Sequence, residues 1–156
     1  MRIILISLPS PFENTPPMDV PLGLAYISSY LKKKGFNDIT LIDYNLLEYD
    51  YYVKDDYLKE IPLDADVYGI SVTTPQFIWF CKITQYLKQA GNGVIVSGGP
   101  HVSSRPDECL GKTETDFVIV GEGEIAFNRL LNGHNVSRFK RNIVPNLDLL
   151  PFPDRT

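Results

Sequence analysis

Four short segments hold the residue types that could do chemistry: Ser7-Leu8-Pro9, Ser71-Val72-Thr73-Thr74-Pro75, Ser97-Gly98-Gly99-Pro100-His101 and Gly121-Glu122-Gly123-Glu124. Glycine lets a ligand approach the backbone closely, hydroxyls make short directional hydrogen bonds, and proline stiffens a rim. This is the chemistry of holding a ligand. Machinery for breaking bonds is missing from the pattern. Neither Cys81 nor Cys109 neighbours a histidine, and no serine sits in a G-x-S-x-G elbow. Gly121-x-Gly123 lacks the third glycine of a dinucleotide fingerprint, and no G-x-x-x-x-G-K-S/T phosphate loop occurs. Two readings stay open at Gly98-Gly99, a backbone contact to a ligand or a tight strand exit. Glu122 and Glu124 stand where a helix begins, so they either cap it or meet a ligand. His101 and His134 are the only histidines. His101 reads as a hydrogen-bonding loop residue, with metal ligation as the alternative.

The elements that position these segments follow from apolar pattern and punctuation. Arg2–Ser7 is a continuous apolar run of strand length, the mark of a central parallel strand covered on both faces. A proline-rich loop follows through Leu8–Val20, long for a strand-to-helix connection. Asp19 and Pro21 start a helix striped by Leu24, Ile27, Ser28 and Leu31 and stopped at Gly35. Strands are predicted at Ile39–Asp43, Asp66–Val72, Gly93–Ser97 and Phe117–Val120. Helices are predicted near Tyr52–Lys59, from Pro75 to Gln89 with Phe77, Phe80, Thr84 and Leu87 inward, over Ser104–Leu110, and over Glu124–Leu131. The tyrosine-rich, acidic stretch 44–66 reads as a solvated surface helix with aromatic anchors.

Strand–helix alternation predicts an α/β fold, a doubly wound five-stranded parallel sheet, flavodoxin-like and Rossmann-like, and the uniformly apolar first strand, which should be central, points to the order 2-1-3-4-5. In such a sheet ligands bind outside the carboxyl ends of the strands, and all four chemistry-bearing segments sit at such ends. A phosphoacceptor regulator of similar topology needs carboxylates at the ends of the first and third strands. Here those ends are Ser7-Leu8 and Val72-Thr73. Residues 1–132 form the predicted domain, and 133–156 read as a tail or linker.

Composition agrees with one globular domain. The chain has 156 residues, 44% of them hydrophobic, 12% aromatic and 22% charged. Its net charge of −4 opposes general nucleic-acid binding. No apolar run reaches the roughly 18 residues of a membrane span, and two cysteines make no disulfide framework, zinc ribbon or cluster ligand set. The expected compartment is cytoplasmic, with no membrane or nucleic-acid partner.

Taken in order, the segments resemble a known family. They are the proline-rich loop before Pro21-Leu22-Gly23-Leu24-Ala25-Tyr26-Ile27, Gly69-Ile70-Ser71-Val72-Thr73-Thr74, Gly98-Gly99-Pro100-His101-Val102, Val120-Gly121-Glu122-Gly123-Glu124, and Leu147-Asp148-Leu149-Leu150-Pro151-Phe152-Pro153-Asp154-Arg155. The set resembles the N-terminal cobalamin-binding domain of B12-dependent radical SAM enzymes, over nearly the whole chain. The resemblance implies a flavodoxin-like fold binding cobalamin. Ser71, Thr73 and Thr74 match the S-x-L-type motif, and Gly98 and Gly99 flank the nucleotide tail, with Pro100, His101 and Val102 beside them. Leu8, Pro9 and the loop to Met18, together with Gly121, Glu122, Gly123 and Glu124, would face the corrin or its edge.

The family's D-x-H-x-x-G histidine has no counterpart in Ser7-Leu8-Pro9-Ser10-Pro11-Phe12, so the cofactor is expected base-off with no protein histidine on cobalt. A radical SAM domain with a C-x-x-x-C-x-x-C motif, a 4Fe–4S cluster and S-adenosylmethionine is expected downstream or in trans, because this sequence holds no such motif. Methyl transfer is the usual chemistry, and the chain alone is not expected to catalyse it. The alternatives are a degenerate scaffold domain without cobalamin and a freestanding module for another phosphate-bearing ligand.

Overall fold

A computed structural model describes residues 1–9, 20–46, 56–137 and 140–154. The strands are β1 (Ile3–Ser7), β2 (Ile39–Asp43), β3 (Val67–Ser71), β4 (Val94–Gly98) and β5 (Phe117–Val118). The helices are α1 (Leu22–Lys33), α2 (Phe77–Ala90), α3 (Pro100–Ser104), α4 (Pro106–Lys112) and α5 (Glu124–Leu131). All strand pairs are parallel, as the alternation predicted, and the order is β2-β1-β3-β4-β5, with the uniformly apolar first strand inside the sheet as expected.

Each central strand side chain goes to one of two cores. Ile4, Ile6, Tyr68, Ile70 and Ile95 pack with Phe80, Ile83 and Leu87 of α2 and Cys109 of α4. Ile3, Leu5, Val67 and Val96 pack with Leu24 and Leu31 of α1 and Ala126 and Phe127 of α5. The period of two explains the division, and burial on both faces explains why β1 has no polar position before Ser7. Register does the rest. Ser7 stands opposite Ser71, and Ser71 opposite Gly98, so three strand ends fall in one row.

Helix α1 ends in a Schellman motif. Gly35, at φ +96°, donates to the Lys32 carbonyl at 3.0 Å, and Phe36 donates to the Leu31 carbonyl at 3.1 Å. The structure revises several expected boundaries. Pro21 is the α1 cap rather than a first-turn residue, and Asp19 lies outside the described residues. The helix expected near Tyr52–Lys59 is a 3₁₀ turn over Asp56–Glu60, and positions 47–55 lie outside the described residues. Within it Tyr57 is fully buried, edge-on to Tyr44 at 5.1 Å between ring centroids.

One expected helix at Ser104–Leu110 is two, because Pro106 bars the preceding Arg105 from helical backbone (φ −140°, ψ 58°). The first of them opens directly on Pro100, where a loop was expected. Strand β5 is also shorter than the apolar run Phe117–Val120. Beyond it the chain pairs with the C-terminal segment, the Asn142 N–H donating to the Val120 carbonyl at 2.7 Å. That segment then lies along α1. The Ser29 hydroxyl donates to the Phe152 carbonyl at 2.6 Å, and the Ser28 hydroxyl to the Asp154 carboxylate at 2.8 Å.

Candidate functional site

Beneath the row of strand ends is a cavity of about 240 Å³ on the α1–α5 face of the sheet. One water centre needs only ~10–15 Å³, so the space is far beyond a packing defect. Gly69, Val96, Ile119 and Phe127 make its floor, and Gly23, Leu24 and Ile27 of α1 make one wall. Its rim is Ser71, Gly98 and Gly99 on one side and Gly121 to Glu124 on the other. The lining is apolar at depth and polar at the mouth, the usual build of a small-molecule site.

The glycines do different work. A Cβ at Gly98 would meet only the Ile119 carbonyl oxygen, at 3.8 Å, so this glycine leaves room inside the cavity. At Gly99 (φ +97°) a Cβ would lie 2.8 Å from the Val72 nitrogen and 2.9 Å from its oxygen. Gly99 is therefore required by the β3–β4 junction itself. Of the two alternatives, Gly99 fits the tight strand exit, while Gly98 has the open space that a ligand contact would need. Gly121 (φ +88°) is likewise required, because the Asn142 carbonyl oxygen would lie 2.3 Å from its Cβ.

The two glutamates also diverge. Glu122 points to the C-terminal segment, its carboxylate accepting the Val144 N–H. Glu124, the first residue of α5, has a carboxylate oxygen, Oε2, that is buried with no hydrogen-bond partner. Burial above all, and then the neighbouring Glu122 charge, push its carboxyl above the usual range, against backbone N–H groups of Glu124 and Gly123 that pull the other way.

Of the residues singled out from sequence, Ser71, Gly98, Gly99, Gly121, Glu122, Gly123 and Glu124 line this one cavity. The others sit nearby but outside it. Leu8 and Pro9 are buried, Leu8 in the α2-side core. Its carbonyl oxygen accepts Gln76 Nε2 at 2.6 Å, while Gln76 Oε1 accepts the Thr73 N–H at 3.0 Å and the Thr73 hydroxyl at 2.8 Å. Thr73, Thr74 and Pro100 are exposed at the edge, and Val102 is buried in the α2-side core. His101 is 5% exposed. Its ring lies 4.6 Å from that of Phe77 and its Nδ1 is 3.2 Å from the Thr74 hydroxyl. Positions 10–19 of the expected corrin-facing loop lie outside the described residues. Among the described residues no three histidine, cysteine or acidic side chains gather as a metal site.

Sequence reasoning missed the α1 wall and the Gly69, Val96, Ile119 and Phe127 floor. One signal was present. Gly23 stands near the start of an amphipathic helix, where glycine costs up to about 1 kcal/mol relative to alanine, and a Cβ there would meet nothing within 4 Å.

Comparison with known proteins bears directly on this geometry. Residues 18–131 match the family model described as B12 binding domain. An uncharacterized methyltransferase of Pyrococcus horikoshii is 29% identical over 154 residues, covering 85% of this chain and 33% of the relative. The 2-(S-pantetheinyl)-carbapenam-3-carboxylate methyltransferase of Streptantibioticus cattleyicolor is 36% identical over 70 residues, 44% of this chain and 10% of that protein.

Among solved structures, the radical S-adenosylmethionine methyltransferase TsrM from Kitasatospora setae, with cobalamin and a 4Fe–4S cluster bound, superposes with a TM-score of 0.62. It is 17% identical, covering 86% of this chain and 25% of that one. The cobalamin-dependent S-adenosylmethionine radical enzyme OxsB, with aqua-cobalamin and S-adenosylmethionine bound, gives a TM-score of 0.68 at 20% identity, over 86% and 19%. At such identities the likeness is one of fold. The chain spans a third or less of each of these relatives.

Proposed function

This chain belongs to the B12-binding domain family, and on that premise we propose that it binds cobalamin with the lower nucleotide tail entering the cavity between the sheet and α1–α5. The observation that carries this reading is that Ser71 and Gly98, aligned in one register row with Ser7, line a largely apolar slot. The slot fits the group. A flat aromatic base suits the Val96, Ile119 and Phe127 floor, the space left by Gly98 admits it, and the polar rim meets the ribose and phosphate. When bound, cobalamin supplies cobalt as a methyl carrier, and the protein's contribution is to hold and orient it.

The base-off state without a protein histidine is part of the same reading. His134 is exposed on the turn after α5, and His101, whose Nδ1 meets the Thr74 hydroxyl and whose ring packs on Phe77, lies outside the cavity lining. A radical SAM domain, in cis or in trans, completes the proposed enzyme. The methyltransferase names of the longer relatives support this partner, and segment 133–156 is the proposed connection toward it. That domain would contribute the 4Fe–4S cluster and S-adenosylmethionine.

The test is direct. Incubation with hydroxocobalamin followed by gel filtration should leave corrin absorbance with the protein at about one per chain. A colourless protein would overturn the reading and leave a scaffold role. Reduced to cob(II)alamin, the bound cofactor should show no nitrogen splitting from an axial ligand in its electron paramagnetic resonance spectrum. Nitrogen splitting that disappears in His101→Ala would make that histidine a cobalt ligand.

A further inference from the structure

The slot contains one polar atom that the fold leaves without a partner. Glu124 lines the cavity; the backbone N–H groups of Glu124 and Gly123 act on its carboxyl group, while its buried Oε2 has no hydrogen bond. A buried acceptor left unpaired is costly, and native proteins keep such a group mainly where a ligand completes it. The neighbouring acid shows the contrast. Glu122 is used up within the protein, bonded to the Val144 N–H. The slot's other lining is mostly Leu24, Ile27, Val96, Ile119, Phe127 and glycine. Its side-chain hydroxyls are those of Ser71 and Ser97, neither bonded to Glu124, and Ser97 is paired with Thr115 at 2.6 Å.

Resting on the cobalamin reading above, we propose that Glu124 is the specificity residue of the slot, its Oε2 accepting a hydrogen bond from a ribose hydroxyl of the lower nucleotide. The chemistry singles out that group. A benzimidazole base has no N–H to give, a phosphodiester has no proton at neutral pH, and the ribose is the hydroxyl-bearing part of the tail. Glu124 thereby distinguishes a corrinoid that carries its nucleotide from one that has lost it. The adjacent apolar floor selects the flat base, and the carboxylate selects the sugar that comes with it.

Equilibrium titration of the chain with hydroxocobalamin and with cobinamide, which keeps the corrin and its amides but lacks the nucleotide, tests this by absorbance without any catalytic assay. The wild-type chain should prefer cobalamin. Glu124→Leu should weaken cobalamin binding about tenfold or more, the scale of a charge-assisted hydrogen bond, and leave cobinamide binding within about twofold. Unchanged cobalamin affinity would overturn the inference. So would an equal loss for both ligands, which would put the donor on the corrin amides.

Glu124→Asp, which keeps an acid at the start of α5 but shortens its reach, carries the same comparison if the leucine variant does not fold. It should lose several-fold on cobalamin alone, and wild-type affinity would count against the proposal. A wild-type chain that binds both corrinoids equally defeats this inference only. One that binds neither defeats the cobalamin reading on which it stands.

Discussion

Single side chains decide how the slot is made, and adjacent glycines at the end of β4 do so in opposite ways. A side chain at Gly98, which lines the cavity, would start in open space, its Cβ meeting only the Ile119 carbonyl oxygen at 3.8 Å. Gly98→Val should therefore leave the ligand-free fold and its melting temperature nearly unchanged while abolishing corrin retention on gel filtration. Gly99→Ala forces a left-handed backbone at φ +97° and drives a Cβ against the Val72 backbone. Left-handed strain alone costs about 1–3 kcal/mol, so denaturant unfolding should show at least that loss before any ligand is added.

Cys109 makes a separate prediction at this scale. It is fully buried, and burial, with a smaller push from Glu108 and Cys81, raises its thiol from 9.0 to about 11. The folded value lies above the unfolded one. Stability linked to this thiol is therefore complete below pH 9 and lost as pH rises toward 11. Alkylation with iodoacetamide at pH 8 should leave Cys109 unmodified in the folded protein and modify it in urea.

At the scale of elements, Gln76 joins two strand exits. Its side chain binds the Leu8 carbonyl after β1 and the Thr73 N–H and hydroxyl after β3, at the entry to α2. Gln76→Leu keeps volume and leaves buried backbone groups unpaired. It should destabilise by about 1–3 kcal/mol, measured as a lower urea midpoint with an unchanged slope. A midpoint equal to wild type would mean that water serves those groups equally well. The Thr-x-x-Gln spacing before the apolar run of α2 is a capping-box signature readable in sequence. Its reach to Leu8 is not, because that contact spans 68 positions.

For the whole molecule, the C-terminal segment closes the slot's architecture. It pairs with the Gly121–Glu122 rim through Asn142 and Val144, then crosses to α1, where Asp154 takes hydrogen bonds from the Ser28 hydroxyl and the Lys32 ammonium and donates its own N–H to the Ala25 carbonyl. Both sides of the cavity mouth are thereby tied by one strand of chain. Asp154→Ala should cost about 1–3 kcal/mol, since the carboxylate is mostly buried and charge-assisted. It should also weaken cobalamin retention by loosening α1. A variant as stable as wild type would make the segment a passive connection. On the outer side of the same segment Phe152 is 93% exposed and Leu147 and Leu149 are well exposed. Among the described residues no helix is long and apolar enough to cross a membrane.

The amino-acid sequence alone determined the strand order and the edge on which the candidate site lies. Alternation of apolar runs with capped helices leaves few topologies, and each glycine- or hydroxyl-bearing segment follows a strand directly. Those are local properties, expressed within a few residues of chain. Only the tertiary structure decided which of those residues share the slot. Leu8, Val102 and His101 have the right position along the chain but turn to the α2 side, whereas Gly69 and Phe127 form the floor. The face a side chain takes, the space beside a glycine and the lack of a partner for Glu124 Oε2 are set by register and by helices packed from distant parts of the chain. No local pattern encodes them.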